Sequence, residues 1–230
     1  MNETSSDLIK TITFRSVNCY LIKTKNDFIL VDSGFTNQRS NIESALNSAG
    51  VQRGNLRLIL LTHGDFDHTG NCSYLRDNYQ SKIAMHKDDL GMVEHGDLFY
   101  SRKGRNFIIR TLVKFMLPIF RMNLKKKDQF TPDIYLEEGD DLSEHGFNAQ
   151  VIYIPGHSKG SIAFLTTEGD LFIGDLLENH KKQGPVKGSL IDDPLEVSAS
   201  IDKLESLPIN TVYPGHGNPF QMEDFMRNYQ

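Results

Sequence analysis

The sequence predicts an α/β protein in which two sheets carry helices on their outer faces. Two observations support this class. Short apolar runs of strand length alternate with stretches of helical periodicity, in the order strands, helices, strands, helices. Several of these runs stop at a glycine beside a histidine or an aspartate, so strand ends deliver polar groups to loops. The chain has 230 residues, enough to bury a substantial core, and its 38% apolar and 24% charged content is ordinary for a globular protein. Residues 1–230 are read as a single domain, with an insert at about 96–127.

Residues 11–21 and 28–32 run apolar or alternate, and the polar 23–27 between them signal a hairpin. The second strand ends in V-D-S-G, where Gly34 permits a sharp turn. Residues 37–49 place Ile42, Ala45 and Leu46 at helical spacing, and Gly50 stops that helix. A strand follows at 56–61, a helix at about 70–79, a strand at 82–85 and a short helix at 87–93. Beyond the insert, strands are expected at 134–136, 149–154, 161–166 and 171–173, with Gly169-Asp170 as a hairpin turn. A helix at 197–207, a strand at 211–213 and a closing helix at 220–228 complete the chain.

The net charge of −5 is unevenly spread. Residues 101–127 hold nine basic residues and no acid, which leaves 16 basic against 30 acidic residues elsewhere. Leu98, Phe99, Phe107, Leu112 and Phe115 interleave with the basic residues, and Pro118 should kink or end a helix. One or two amphipathic helices are expected there. They could be a solvated face packed on the sheets, a lid that attracts anionic substrates, or a surface for peripheral contact with anionic lipid. The same apolar face could meet another chain, so no oligomeric state is assigned. No nucleic-acid module accompanies the charge, and no nucleic-acid partner is expected. The apolar runs are too short to span a bilayer, residues 1–10 lack a hydrophobic signal region, and a cytoplasmic location is expected. Cys19 and Cys72 make no CxxC pair and no disulfide framework.

The stretch with most chemistry is 56–71, L-R-L-I-L-L-T-H-G-D-F-D-H-T-G-N. An apolar run ends there in four candidate metal ligands within six residues: His63, Asp65, Asp67 and His68. Three later runs repeat the pattern, reaching His157 in P-G-H-S, Asp175 in G-D and His216 in P-G-H-G, while Asp32 ends V-D-S-G. Taken singly, each histidine would be an ordinary turn residue. Together, imidazoles and carboxylates suit zinc, iron or manganese, and a two-metal site needs several of them with a position left for water or substrate.

In this order, from Asp32 to His216, V-D-S-G, T-H-G-D-F-D-H-T-G-N, P-G-H-S-K-G-S, G-D and P-G-H-G resemble the metallo-β-lactamase superfamily of metallohydrolases. The resemblance implies an αββα four-layer sandwich with two divalent metal ions at one edge between the sheets. It implies that His63, Asp65 and His157 hold the first ion, that Asp67, His68 and His216 hold the second, and that Asp175 bridges them. Asp67 would also be catalytic, orienting a metal-bridging hydroxide, and Asp32 would hold a ligand loop from behind. The family's usual H-x-H-x-D-H motif reads H-x-D-x-D-H here. Zinc is the expected metal, and the carboxylate of Asp65 makes iron or manganese alternatives.

The implied activity is hydrolysis of a small ester, lactone or thioester, on a substrate that the basic insert would suit if it were anionic. His180, five residues after Asp175, is a candidate substrate contact. A phosphodiesterase of the same fold is the alternative among enzymes, and a di-iron redox or oxygen-handling protein the alternative outside hydrolysis. Because 14 residues follow His216, the C-terminal helical domain of glyoxalase II-like thioesterases is not expected, nor is a glutathione thioester substrate.

Overall fold

A computed structural model describes residues 8–100, 102 and 124–229. The first sheet contains β1 (Ile9–Phe14), β2 (Val17–Lys23), β3 (Phe28–Val31), β4 (Leu56–Leu60), β5 (Lys82–Met85) and β6 (Ile134–Tyr135), side by side in chain order. The pairs from β1 to β3 are antiparallel and those from β3 to β6 parallel. The second sheet has the order β13-β12-β9-β8-β7, formed by β7 (Ala149–Tyr153), β8 (Ile162–Thr166), β9 (Asp170–Gly174), β12 (Thr211–Pro214) and β13 (Phe220–Gln221). A separate hairpin joins β10 (Leu177–His180) to β11 (Gly184–Lys187).

Both sheets are covered on both faces, which explains why their strands read as nearly continuous apolar runs. Three apolar layers result. On the outer face of the first sheet, Leu21, Leu30, Ile59 and Ile83 cluster with Ile42 and Leu46 of α1 (Arg39–Ser48), Phe66 of α2 (Phe66–Thr69), Leu75 of α3 (Cys72–Tyr79) and Val93 of α4 (Leu90–His95). Between the sheets, Tyr20, Ile29, Val31, Leu58 and Leu60 meet Val151, Phe164, Phe172 and Tyr213. Beyond the second sheet, Ile152, Ile173 and Val212 cluster with Val197, Ile201 and Leu204 of α5 (Pro194–Glu205) and Phe225 of α6 (Met222–Tyr229). This is the αββα sandwich. The start of α5 follows local chemistry: Asp193 caps it by accepting from the backbone N–H groups of Leu195 and Glu196, and Pro194 fills its first turn.

Two expected elements differ, and one hairpin was not expected. The strand expected over 11–21 is two strands, because Arg15 takes a left-handed φ of 59° and Phe14 pairs with Val17 across a two-residue turn. No glycine or Asn-Gly step marks that turn, so the apolar alternation runs through it. The closing helix begins at Met222, since Phe220–Gln221 pairs with β12 instead. The hairpin of β10 and β11 lies in a polar stretch with no strand signal. The helices expected across the basic insert fall mostly on residues 103–123, outside those described. Among the described residues, no helix is long and apolar enough to cross a membrane.

Candidate metal centre

Strand direction explains why distant motifs meet. β3, β4 and β5 are parallel, so their C-terminal ends share one edge of the first sheet. β9 and β12 are parallel, and β7 runs the same way because two antiparallel pairings separate it from β9. Asp32 follows β3, the group from His63 to His68 follows β4, and His157, Asp175 and His216 follow β7, β9 and β12. In α/β sheets this carboxyl edge is where sites form. The β1–β2 turn reaches the same edge and grips the His216 loop. The Asn18 amide donates to the Pro214 and Gly217 carbonyls at 3.0 and 2.6 Å, and the Tyr20 hydroxyl donates to Pro214 at 2.6 Å.

All seven sequence-predicted ligands converge. Three overlapping groups have ligand atoms within 4.8 Å of one another: His63–Asp65–His157, His63–His68–Asp175 and Asp67–His68–His216. Asp175 stands in the middle. Its Oδ1 is 3.3 Å from His68 Nε2, and its Oδ2 is 3.1 Å from His216 Nε2, 3.9 Å from His63 Nε2 and 4.0 Å from His157 Nε2. Asp67 Oδ2 lies 3.6 Å from His216 Nε2 and 3.8 Å from His68 Nε2.

Each imidazole is oriented through its other nitrogen. Nδ1 meets Thr62 Oγ1 in His63 (3.0 Å), Asp32 Oδ2 in His68 (2.8 Å), the Ser189 carbonyl in His157 (3.0 Å) and the Ser16 carbonyl in His216 (2.8 Å). This turns every Nε2 toward the centre, as metal-binding histidines require. Of these atoms His63 Nε2 and His68 Nε2, with Asp175 Oδ1, are buried and make no hydrogen bond among the described residues. Buried polar atoms rarely go unpaired. Divalent cations would satisfy them, and the nitrogen and oxygen donor set suits zinc, iron or manganese. The residues present therefore fit a binuclear centre.

Charge in the cluster is balanced internally. Burial opposes ionisation of Asp175, but His68 and His216 outweigh it and hold the carboxyl well below the usual carboxylate range. Burial also disfavours a charged His216, yet Asp175 lifts its pKa to about 10. His63 moves the other way, lowered by burial and by His68.

Asp32 stands behind His68, as expected. It takes a left-handed φ of 57°, and its carboxylate also accepts from the Thr62 N–H at 3.0 Å and hydroxyl at 2.8 Å. Such strain persists where surroundings over-determine it. Gly215 is required for space. A Cβ there would lie 2.2 Å from Asp175 Oδ1 and 2.7 Å from His68 Cε1. Gly215→Ala is expected to weaken metal binding about 10- to 100-fold without removing a ligand. Competition with a chromophoric chelator would measure it, and unchanged affinity would contradict the packing reading.

Three supports were not legible as site residues. Buried Asp89 ties two ligand loops together, accepting from Gly64 N at 2.9 Å, Gly160 N at 2.8 Å and Ser158 Oγ at 2.6 Å. Glu178 accepts from Ser189 N and Oγ, both at 2.7 Å, and Ser189 in turn orients His157. Arg102 donates from Nη2 to both Asp65 oxygens at 2.8 and 2.9 Å. In sequence, Asp89 is the second of two adjacent aspartates, Glu178 lies in no motif, and Arg102 is one of nine basic residues between 101 and 127. No spacing singles them out.

A cavity of about 360 Å³ opens onto Asp65, Asp67, Asp175 and His216. Its walls are largely apolar, with Phe35, Phe66, Leu98, Phe99, Leu190 and Ile191. His180 is not among the lining residues. It stands on β10, about half exposed, with Nε2 2.8 Å from Glu178 Oε2.

Known proteins share this architecture. A structure titled TTHA1623 in a di-iron-bound form superposes with a TM-score of 0.71 at 28% identity, covering 95% of this chain and 96% of that one. Hydroxyacylglutathione hydrolase GloC of Haemophilus influenzae is 28% identical over 170 residues, 71% of this chain and 70% of that protein. Acyl-coenzyme A thioesterase MBLAC2 of Bos taurus is 24% identical over 222 residues, 91% of this chain and 76% of that protein. Against several other curated relatives the chain spans 51–64% of their length. The family model of the metallo-beta-lactamase superfamily matches residues 12–216, from β1 to the last candidate ligand, and the chain belongs to that superfamily.

Proposed function

We propose that the protein is a metal-dependent hydrolase of thioesters or related esters and lactones with an apolar acyl part. The observation that carries this reading is the juxtaposition of seven ligand-type side chains with an apolar cavity wall. Relatives named as a hydroxyacylglutathione hydrolase and an acyl-coenzyme A thioesterase support the bond type.

His63, Asp65 and His157 would hold one cation, Asp67, His68 and His216 another, with Asp175 shared. Zinc is the expected metal, with iron or manganese as alternatives. Bound cations would supply an activated water and polarise the substrate carbonyl. The chain's own groups do the rest. Phe35, Phe66 and Ile191 would seat the acyl part and exclude bulk water, which strengthens electrostatic interactions at the reacting carbonyl. Asp67, at the cavity wall, is the group that would accept a proton from the attacking water on a carboxylate oxygen. Leu98, Phe99 and Arg102 also line the cavity, so the start of the insert would shape the pocket.

Leu190 offers a test of the apolar wall. It is 48% exposed and held at a left-handed φ of 56°. Leu190→Gly relieves that backbone but removes the side chain, so stability should stay within about 1 kcal/mol. KM for a medium-chain acyl thioester should rise roughly 5- to 10-fold. An unchanged KM would count against an acyl site here.

The central experiment is turnover by zinc-, iron- and manganese-loaded protein against an acyl-coenzyme A, an acyl lactone and a phosphodiester. Thioester or lactone hydrolysis well above phosphodiester hydrolysis is expected; the reverse would replace the proposal with a phosphodiesterase. A di-iron redox protein is the second reading. The Asp65 carboxylate and the di-iron form of TTHA1623 favour it, and it requires iron-loaded protein with reversible redox chemistry and no hydrolysis.

A further inference from the structure

The two halves of the candidate centre are not equivalent, and Arg102 makes the difference. Its side chain is only 6% exposed. Nη2 lies 2.8 and 2.9 Å from the two Asp65 oxygens and 3.1 Å from His157 Nε2. The atoms that Asp65 and His157 would offer to a cation thus already face a guanidinium nitrogen. Arginine suits this task because its guanidinium stays charged even when buried. The other half differs. There the inner atoms of Asp67, His68, Asp175 and His216 face one another, as histidines and carboxylates 3.1–3.8 Å apart.

We propose that Arg102 is a tethered cation that competes with metal for the His63–Asp65–His157 group, so that the protein has one tight and one weak metal subsite. The inference rests on the metal-centre reading above. The tight ion takes Asp67, His68, Asp175 and His216. The weak one enters only by displacing the guanidinium from Asp65, which breaks a buried ion pair and brings further positive charge beside it. The pair also accounts for Asp65 itself. A carboxylate at a position where the family usually has histidine is neutralised by Arg102, and the pair carries no more net charge than a neutral imidazole.

The test is zinc binding to chelator-treated, full-length protein across buffered free-zinc concentrations, read as bound zinc per chain by elemental analysis. The wild-type protein should show two classes of site, with the weaker dissociation constant larger by about 30-fold or more. Arg102→Met keeps much of the bulk but removes the charge, and should strengthen the weak class by roughly 10-fold or more while leaving the tight class unchanged. Arg102→Lys keeps the charge and should leave the weak class weak, which separates charge competition from loss of packing. Two indistinguishable zinc sites in the wild type would overturn the proposal and leave the metal centre standing. That result needs no variant to fold. An unchanged weak class in a folded Arg102→Met protein would also overturn it. Absence of zinc binding in every form would overturn the metal-centre reading and this inference with it.

Discussion

Asp175→Ala is expected to abolish hydrolysis, lowering kcat/KM by on the order of 10³-fold or more, and to remove tightly bound metal. The reason is position. Asp175 is the residue whose two oxygens face His68 and His216 within 3.3 Å and look toward His63 and His157 at about 4 Å. Removing it takes away the ligand both cations would share. It also removes the charge that lifts the His216 pKa. Four imidazoles would then face one another around a space with less negative charge, which cations would enter less readily. The alanine itself should fit, because Asp175 follows β9 rather than forming part of a helix or core. Circular dichroism should therefore match the wild type while elemental analysis shows metal lost. A variant that keeps full metal content and turnover would refute the assignment of Asp175 as the shared ligand.

Asp89→Ala is expected to cost about 3–5 kcal/mol of stability, though Asp89 is no ligand. Its carboxylate accepts from Gly64 N, Gly160 N and Ser158 Oγ in a buried site. Those donors belong to the loops after β4 and after β7, one from each sheet. Alanine would leave two buried N–H groups without an acceptor, while Ser158 could still turn to Ser161 at 2.8 Å. Burial raises the Asp89 pKa against those hydrogen bonds, so the group contributes through its acceptors more than through its charge. Urea unfolding of metal-free protein measures the cost without interference from ligand binding. A change below about 1 kcal/mol would mean the loops are held together elsewhere. If the stability falls as expected, metal affinity should fall too, because His63 and His157 lose their common anchor.

The candidate ligand set was legible because it is local. His63, Asp65, Asp67 and His68 occupy six residues, and His157, Asp175 and His216 each close a short apolar strand. Periodicity and glycine placement located most strands to within a residue or two. The β1–β2 turn was not legible, because Arg15 adopts a left-handed conformation with no glycine to announce it. The β10–β11 hairpin was missed because its residues are polar and lack alternation. His180 shows the limit of proximity along the chain. Five residues from Asp175, it pairs with Glu178 and is not among the residues that line the cavity.

The sequence by itself determined the superfamily, the sandwich and the seven residues that meet at its edge. Those depend on motifs and on strand ends, which neighbouring residues specify. Only the tertiary structure decided what holds and neutralises them: Asp89 between two loops, Ser16 and Asn18 at the His216 turn, and Arg102 on Asp65. These partners are 25 to 200 residues apart. A hydrogen bond or ion pair across that distance follows from how two sheets stack, and no local pattern encodes it. The motif therefore names the candidate ligands, while the packing decides which groups each of them faces.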